Sequence, residues 1–145
     1  DRLLAGALIP QTLYEQAQAF RQAFREQITT LIADYDVLLA PATPTVAPMI
    51  ADPRILIDGE LSPARADLGI HSQPISFSGL PALAVPLNRP GRLPLGLQLI
   101  GHAGDEATLF RFAAMLEAEG VIAVSPPPVS MSAWAPFGIQ GEAAA

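Results

Sequence analysis

Residues 12–34 carry an apolar stripe at helical spacing, and that stripe fixes the first large element of the fold. Leu13, Ala17, Phe20, Phe24, Ile28 and Leu31 follow at intervals of four, three, four, four and three. All six therefore share one side of a helix of 3.6 residues per turn. Glu15, Gln18, Arg21, Gln22 and Arg25 occupy the other side. Thr12 and Glu15 have the spacing of a capping box, in which each side chain satisfies an orphan backbone N–H. Upstream, residues 2–9 (RLLAGALI) read as the tail of another helix, interrupted by Pro10.

The segments that follow are short and apolar. Val37–Ala40 reads as a buried strand ended by Pro41. Residues 41–54 hold Pro41, Pro44, Pro48 and Pro53 and read as an irregular loop. Ile55–Ile57 and Glu60–Leu61 flank Asp58-Gly59, the signature of a type I′ hairpin. Arg65–Gly69 and Pro74–Ser78 each suit one helical turn, the second with Pro at N1. Leu83–Leu87, a turn around Pro90-Gly91, and Leu95–Ile100 form an antiparallel hairpin, and Pro86 marks a strand end or a sheet edge. Asp105 caps a final helix whose buried face is Leu109, Phe112, Ala113 and Leu116; Gly120 stops it. Val121–Val124 suits a last short strand. Helices alternating with short strands define an α/β chain.

Composition narrows the function. The chain has 145 residues, enough for one domain. Half are hydrophobic and only 15 % are charged, against about 25 % in soluble domains. Such a surplus of apolar surface suits a piece of a larger protein that meets a missing part. The chain starts at Asp1 rather than Met and shows no signal peptide, so an upstream part is expected. No run approaches the ~18 consecutive apolar residues of a membrane span. There is no cysteine, which removes disulfides, thiolate metal sites and a cysteine nucleophile and fits a cytoplasmic protein. Net charge is −6, and the eight basic residues are scattered arginines with no two adjacent. A phosphate-neutralising stripe is absent, so neither direct nucleic-acid binding nor an anionic membrane role is expected.

Five features, in order, resemble the amidase signature family of hydrolases. A long helix precedes YDVLLAPATPTVAP (Tyr35–Pro48). A linker with an Ile-Asp-Gly hairpin follows. SQPISFSGLPALAVPL (Ser72–Leu87) is similar to the family segment in which a helix turns through Gly-Leu-Pro into a core strand. LPLGLQLIG (Leu93–Gly101) resembles the family's next strand, and a helix then opens at Asp105-Glu106. The resemblance covers residues 1–124 and implies an α/β fold, the C-terminal portion of the amidase signature fold, with mixed sheet strands covered by helices. Residues 125–145 are expected to be a Pro-rich extended tail, docked by Trp134 and Phe137. Within the family, RADLGIHSQPISFSGLP (Arg65–Pro81) looks most like the biuret and carboxybiuret hydrolase branch. The A subunits of glutamyl-tRNA amidotransferases and the allophanate hydrolases are neighbours.

The resemblance implies a reaction that this chain lacks the groups to perform. Family members use a serine nucleophile, a bridging serine on a cis peptide and a lysine base whose pKa is lowered by burial. This chain has no lysine and no Gly-Gly-Ser-Ser segment. Arginine does not deprotonate in proteins and cannot replace the base. The resemblance puts all three catalytic residues upstream, so none is assigned here.

Other chemistry is weaker. His71 and Ser72 lie near Ser76 and Ser78, with Asp67 the nearest carboxylate, but a Ser-His pair needs an oriented imidazole. His102 reads as a surface or capping residue. Asp34/Asp36 and Asp105/Glu106 sit at element ends, where capping is the simpler role. Thr43 and Thr45 follow a strand end, and Gln73 carries both an amide donor and an acceptor; these three are the candidate substrate-binding residues. Each has local hydrogen bonding as its alternative role. Arg65 could bind a carboxylate or form a surface ion pair. No cofactor and no metal is expected. The expected partners are the upstream segment of the same protein, a small amide substrate, and a small partner subunit or a second copy. Two rival functions remain open: the A subunit of a glutamine-dependent tRNA amidotransferase, and a non-enzymatic docking domain.

Overall fold

The computed structural model describes residues 2–124. A short helix α1 (Arg2–Gly6) leads into α2 (Gln11–Leu31), the striped helix. Then come β1 (Leu38–Pro41), the hairpin β2 (Arg54–Ile57) and β3 (Glu60–Pro63), and the short helices α3 (Ala64–Asp67) and α4 (Gln73–Ser78). β4 (Ala82–Pro86), β5 (Gly96–Ile100) and α5 (Glu106–Ala118) close the described chain. The tail expected for 125–145, including Trp134 and Phe137, lies outside the described residues. No helix among them is long and apolar enough to cross a membrane.

The sheet is built on β5. β1 and β4 flank it, both antiparallel to it, with Leu39 and Leu83 each opposite Leu99. Strand side chains alternate between faces, so β5 divides its residues between two cores. Leu97 and Leu99 join Leu83 and Val85 against Leu109, Phe112, Ala113 and Leu116 of α5, with Ile122 alongside. Ile100 joins Leu38 and Ala40 against Ile28, Ile32, Ile75 and Leu80. The helices thus cover both faces, as the α/β reading requires. Leu99, Ile100 and Leu109 are almost wholly buried, and each contributes about 1.5–3 kcal/mol by leaving water.

Local chemistry explains the element ends. Asp58 and Gly59 both have positive φ (50° and 87°), so the type I′ turn forms as expected. Gly79 ends α4 in the left-handed region (φ 72°), and Pro81 then fixes the chain entering β4. Between α4 and β4 the buried Ser78 hydroxyl donates to Ile75 O (2.7 Å) and accepts from Leu80 N–H (3.2 Å). Pro86 is the last residue of β4, which is an edge strand, so both readings of that proline hold. Asp105 caps α5: its carboxylate accepts from the Thr108 hydroxyl (2.6 Å) and the Thr108 N–H (3.4 Å). After α5, Gly120 (φ 70°) donates to Glu117 O and Val121 N–H to Leu116 O, the pair of bonds that defines a Schellman stop.

Four expectations need correction. β1 is a half-exposed edge strand rather than a buried one, with Leu38 and Ala40 half-buried and Leu39 49 % exposed. Thr12 and Glu15 form no capping box. Pro10 is the N-cap, its carbonyl accepts from Leu13 and Tyr14 N–H, and Glu15 is held by Gln11 Nε2 at 2.9 Å. α2 stops at Leu31 rather than 34, because Ala33 and Tyr35 N–H turn back to Thr30 and Ile32 carbonyls. That tighter turn carries Ile32 into the core. Val121–Val124 is a single bridge, Leu87 to Ile122, not a strand. Pro86 can accept from Ala123 N–H (3.2 Å) but has no N–H to return.

The stripe of α2 is only half covered. Phe24 and Ile28 are half-buried, whereas Leu13, Phe20 and Leu31 are 53 %, 64 % and 68 % exposed. α2 is anchored through α4, where Phe77 packs on Phe20 and Phe24 (ring centroids 5.9 and 5.6 Å). Arg21 Nε also donates to Phe77 O at 2.8 Å.

Candidate functional site

Three adjoining grooves lie on the side of the sheet where β1 ends and α4 begins. The chain leaves β1 at Pro41, and Ala42 N–H donates to Gly96 O at 3.0 Å. Gly96 permits this approach: a Cβ there would stand 3.2 Å from the Ala42 methyl. Thr43 and Thr45 follow and line a groove of about 480 Å3 together with Leu68, Val85, Pro94 and Gly96. Thr43 donates its hydroxyl to Thr45 O at 2.9 Å, which is local bonding within the loop.

Gln73, the first residue of α4, is exposed and lines a different groove, of about 510 Å3, with Gln18, Arg21, Ser72, Ser76 and Phe77. Thr43 and Thr45 therefore share one groove and Gln73 borders another. Between the two lies a third cleft of about 480 Å3. It shares Ala42 and Ala84 with the first and Ser72 and Ser76 with the second. Ile75, Leu80 and Ala82 add apolar wall, and Gln98 closes it.

Gln98 is the residue that sequence reasoning passed over. It is 4 % exposed in the middle of the sheet. Its Nε2 donates to Pro41 O (3.0 Å) and to His71 O (2.8 Å). One carboxamide thus ties the end of β1 and the loop before α4 to the central strand. The signal was present: a lone amide inside Gly96–Ile100 (GLQLI) must find partners when buried.

The other polar candidates have structural work. The Ser62 hydroxyl donates to the Asp67 carboxylate, so the carboxylate nearest His71 in sequence is already engaged. Ser72 Oγ donates to Gly69 O at 3.3 Å. His102 Nε2 bonds Tyr35 O at 2.9 Å, linking the end of the last strand to the turn after α2. The hydrogen bond from Thr108 holds the Asp105 carboxyl below its ordinary value. Arg65 is exposed; among the described residues the ion pair is Arg54 with Asp52, at 2.6 Å, and Arg65 has none.

The amidase family model matches residues 3–110, and the chain belongs to that family. Over 124 residues it is 38 % identical to AtzE, a subunit of the 1-carboxybiuret hydrolase of Pseudomonas sp. strain ADP, covering 83 % of this chain and 27 % of that protein. Over 107 residues it is 41 % identical to the A subunit of the glutamyl-tRNA(Gln) amidotransferase of Mesorhizobium japonicum, covering 72 % and 20 %. Among solved structures, one described as a vestigial protein complex revealing the evolutionary origins of an s-triazine catabolic enzyme superposes with a TM-score of 0.77. It is 35 % identical and covers 87 % of this chain and 28 % of that one. The chain spans about a quarter of the length of the relatives it matches.

Proposed function

We propose that this chain is the C-terminal, non-catalytic portion of an amidase signature hydrolase that cleaves a C–N bond in a small amide or urea-like compound. The observation that carries the reading is the match to AtzE of the carboxybiuret hydrolase, 124 residues long yet only 27 % of that protein. The nucleophilic serine, the bridging serine and the lysine base belong to upstream sequence. The half-covered stripe of α2 supports the same division, since Leu13, Phe20 and Leu31 offer apolar surface to a neighbouring segment. That segment is the expected partner, in a cytoplasmic protein. Thr43, Thr45 and Gln73 border the pocket wall that this chain contributes.

The A subunit of an amidotransferase is the second reading, favoured by the 41 % identity to the Mesorhizobium japonicum protein. The carboxybiuret branch is preferred because its match covers more of the chain. The test is reconstitution. This chain is co-expressed with the part of AtzE that precedes the matched 124 residues, and ammonia release from biuret is measured. Activity is expected only when both pieces are present. Turnover by this chain alone would refute the reading, and glutamine-dependent activity would move it to the amidotransferase branch.

A further inference from the structure

The third cleft is lined by a glutamine whose side-chain oxygen is used by no protein group among the described residues. Both partners of Gln98 Nε2 are backbone carbonyls, which can only accept, so the amide orientation is fixed by chemistry. Nε2 has two hydrogens and both are engaged. Oε1 accepts from no protein group among the described residues, yet no side-chain oxygen or nitrogen among them is both sealed from solvent and unpaired. Oε1 therefore reaches solvent, and the cleft is the space Gln98 lines. Around it stand the methyl groups of Ala42, Ala82 and Ala84 and the side chains of Ile75 and Leu80, with the hydroxyls of Ser72 and Ser76 as further polar groups. A mostly apolar cavity of this size with a few convergent polar atoms is the usual form of a small-ligand site.

We propose that this cleft binds a small neutral ligand through its N–H groups, with Gln98 Oε1 as the acceptor that selects it. No formal charge lines the cleft, which disfavours a charged ligand, because an ion there would lose water without an opposite partner. A carboxamide oxygen whose own N–H groups are fixed cannot turn to offer a donor. It discriminates for an N–H and against a carbonyl or ether oxygen. Primary amides and ureas meet that requirement, and naming them rests on the proposed amidase function. Leaving Oε1 facing a methyl group instead of an N–H removes its hydration with no replacement, a loss of about tenfold in affinity.

The test is NMR on the full chain, following the Gln98 side-chain NH2 signal and the Ser76 backbone amide. The probes are biuret, urea and acetone; acetone has the shape of urea with methyl groups in place of the amino groups. Biuret and urea should shift both signals in a saturable way, and acetone should bind at least about tenfold more weakly than urea. Ala84→Leu, which puts a larger side chain into the cleft directly across the strand pair from Gln98, should abolish the shifts. Gln98→Met should do the same, and Ala84→Leu keeps the test valid if Gln98→Met unfolds. Equal binding of urea and acetone, no saturable biuret shift, or shifts that survive Ala84→Leu would each overturn the inference. The readout is independent of turnover. Biuret binding without hydrolysis in the reconstituted enzyme would count against the proposed function and leave the site standing. Hydrolysis without any response at Gln98 would do the reverse.

Discussion

The two long helices of this protein carry similar apolar stripes and have very different surroundings. α5 lays Leu109, Phe112, Ala113 and Leu116 on the sheet and finishes with a side-chain cap at one end and a glycine stop at the other. α2 is longer, with an equally regular stripe, yet none of its residues is fully buried and three of its stripe side chains are more than half exposed. Periodicity alone does not tell a helix how much of its stripe its own chain will cover. Where the stripe is covered the helix belongs to a core; where it is not, apolar side chains stay exposed. Under the proposed function, that exposed surface faces the catalytic remainder of an amidase.

The largest effect should come from the covered side. Leu99 is fully buried at the centre of β5, and Leu99→Ala should cost about 2–5 kcal/mol, the range for a buried leucine replaced by alanine. Urea unfolding followed by circular dichroism would measure it. A cost under about 1 kcal/mol would erase the contrast between the two regions. At the junction of the regions, Gly79→Ala places a Cβ at φ 72° and should cost about 1–2 kcal/mol, read by the same unfolding curve.

On the uncovered side, Leu31→Gln should change the stability of this chain by no more than about 0.5 kcal/mol, as at other exposed sites. The same substitution should weaken association with the catalytic portion in a pull-down. If it destabilised this chain as much as Leu99→Ala, the stripe would have to be covered internally.

The smallest effect concerns the cap of α5. The hydrogen bond from Thr108 lowers the Asp105 carboxyl below its ordinary 3.8. A group whose folded value is depressed stabilises fully above its unfolded pKa and loses that contribution as pH falls through the folded value. The cap is therefore intact at neutral pH and is lost in acid below 3.8. Asp105→Asn keeps an acceptor without a titrating group. Its Tm should fall less than that of the unaltered protein on acidification through this range, measured by thermal denaturation at several pH values.

Much of the fold could be read from residues that act locally. The stripe announced α2, Asp58-Gly59 its hairpin, Pro86 the end and edge of β4, and Asp105 and Gly120 the bounds of α5. Each of these depends on backbone geometry within a few residues. The missed features depend on what meets across the sheet or at a helix start. Thr12 and Glu15 matched a capping box in spacing, but Pro10 and Gln11 had already taken up the start of α2. Val121–Val124 looked like a strand, yet its neighbour in space is a proline with no N–H.

The site was less legible than the fold. Thr43 and Thr45 stand out by following a strand end and Gln73 by carrying both an amide donor and an acceptor, yet they border two separate grooves. Gln98 lies between those grooves and was hidden by its apolar neighbours. Its two partners, Pro41 and His71, are 57 and 27 residues away, so only the folded chain reveals what its amide holds.

Hydrogen exchange on the two helices tests the division most directly. In this chain alone, amides of residues 13–31 should exchange far faster than those of 109–118, because a helix with little tertiary cover is marginal in water. Adding the catalytic portion should slow the first set and leave the second unchanged. Equal protection of both helices in the chain by itself, with no change on adding that portion, would contradict the account.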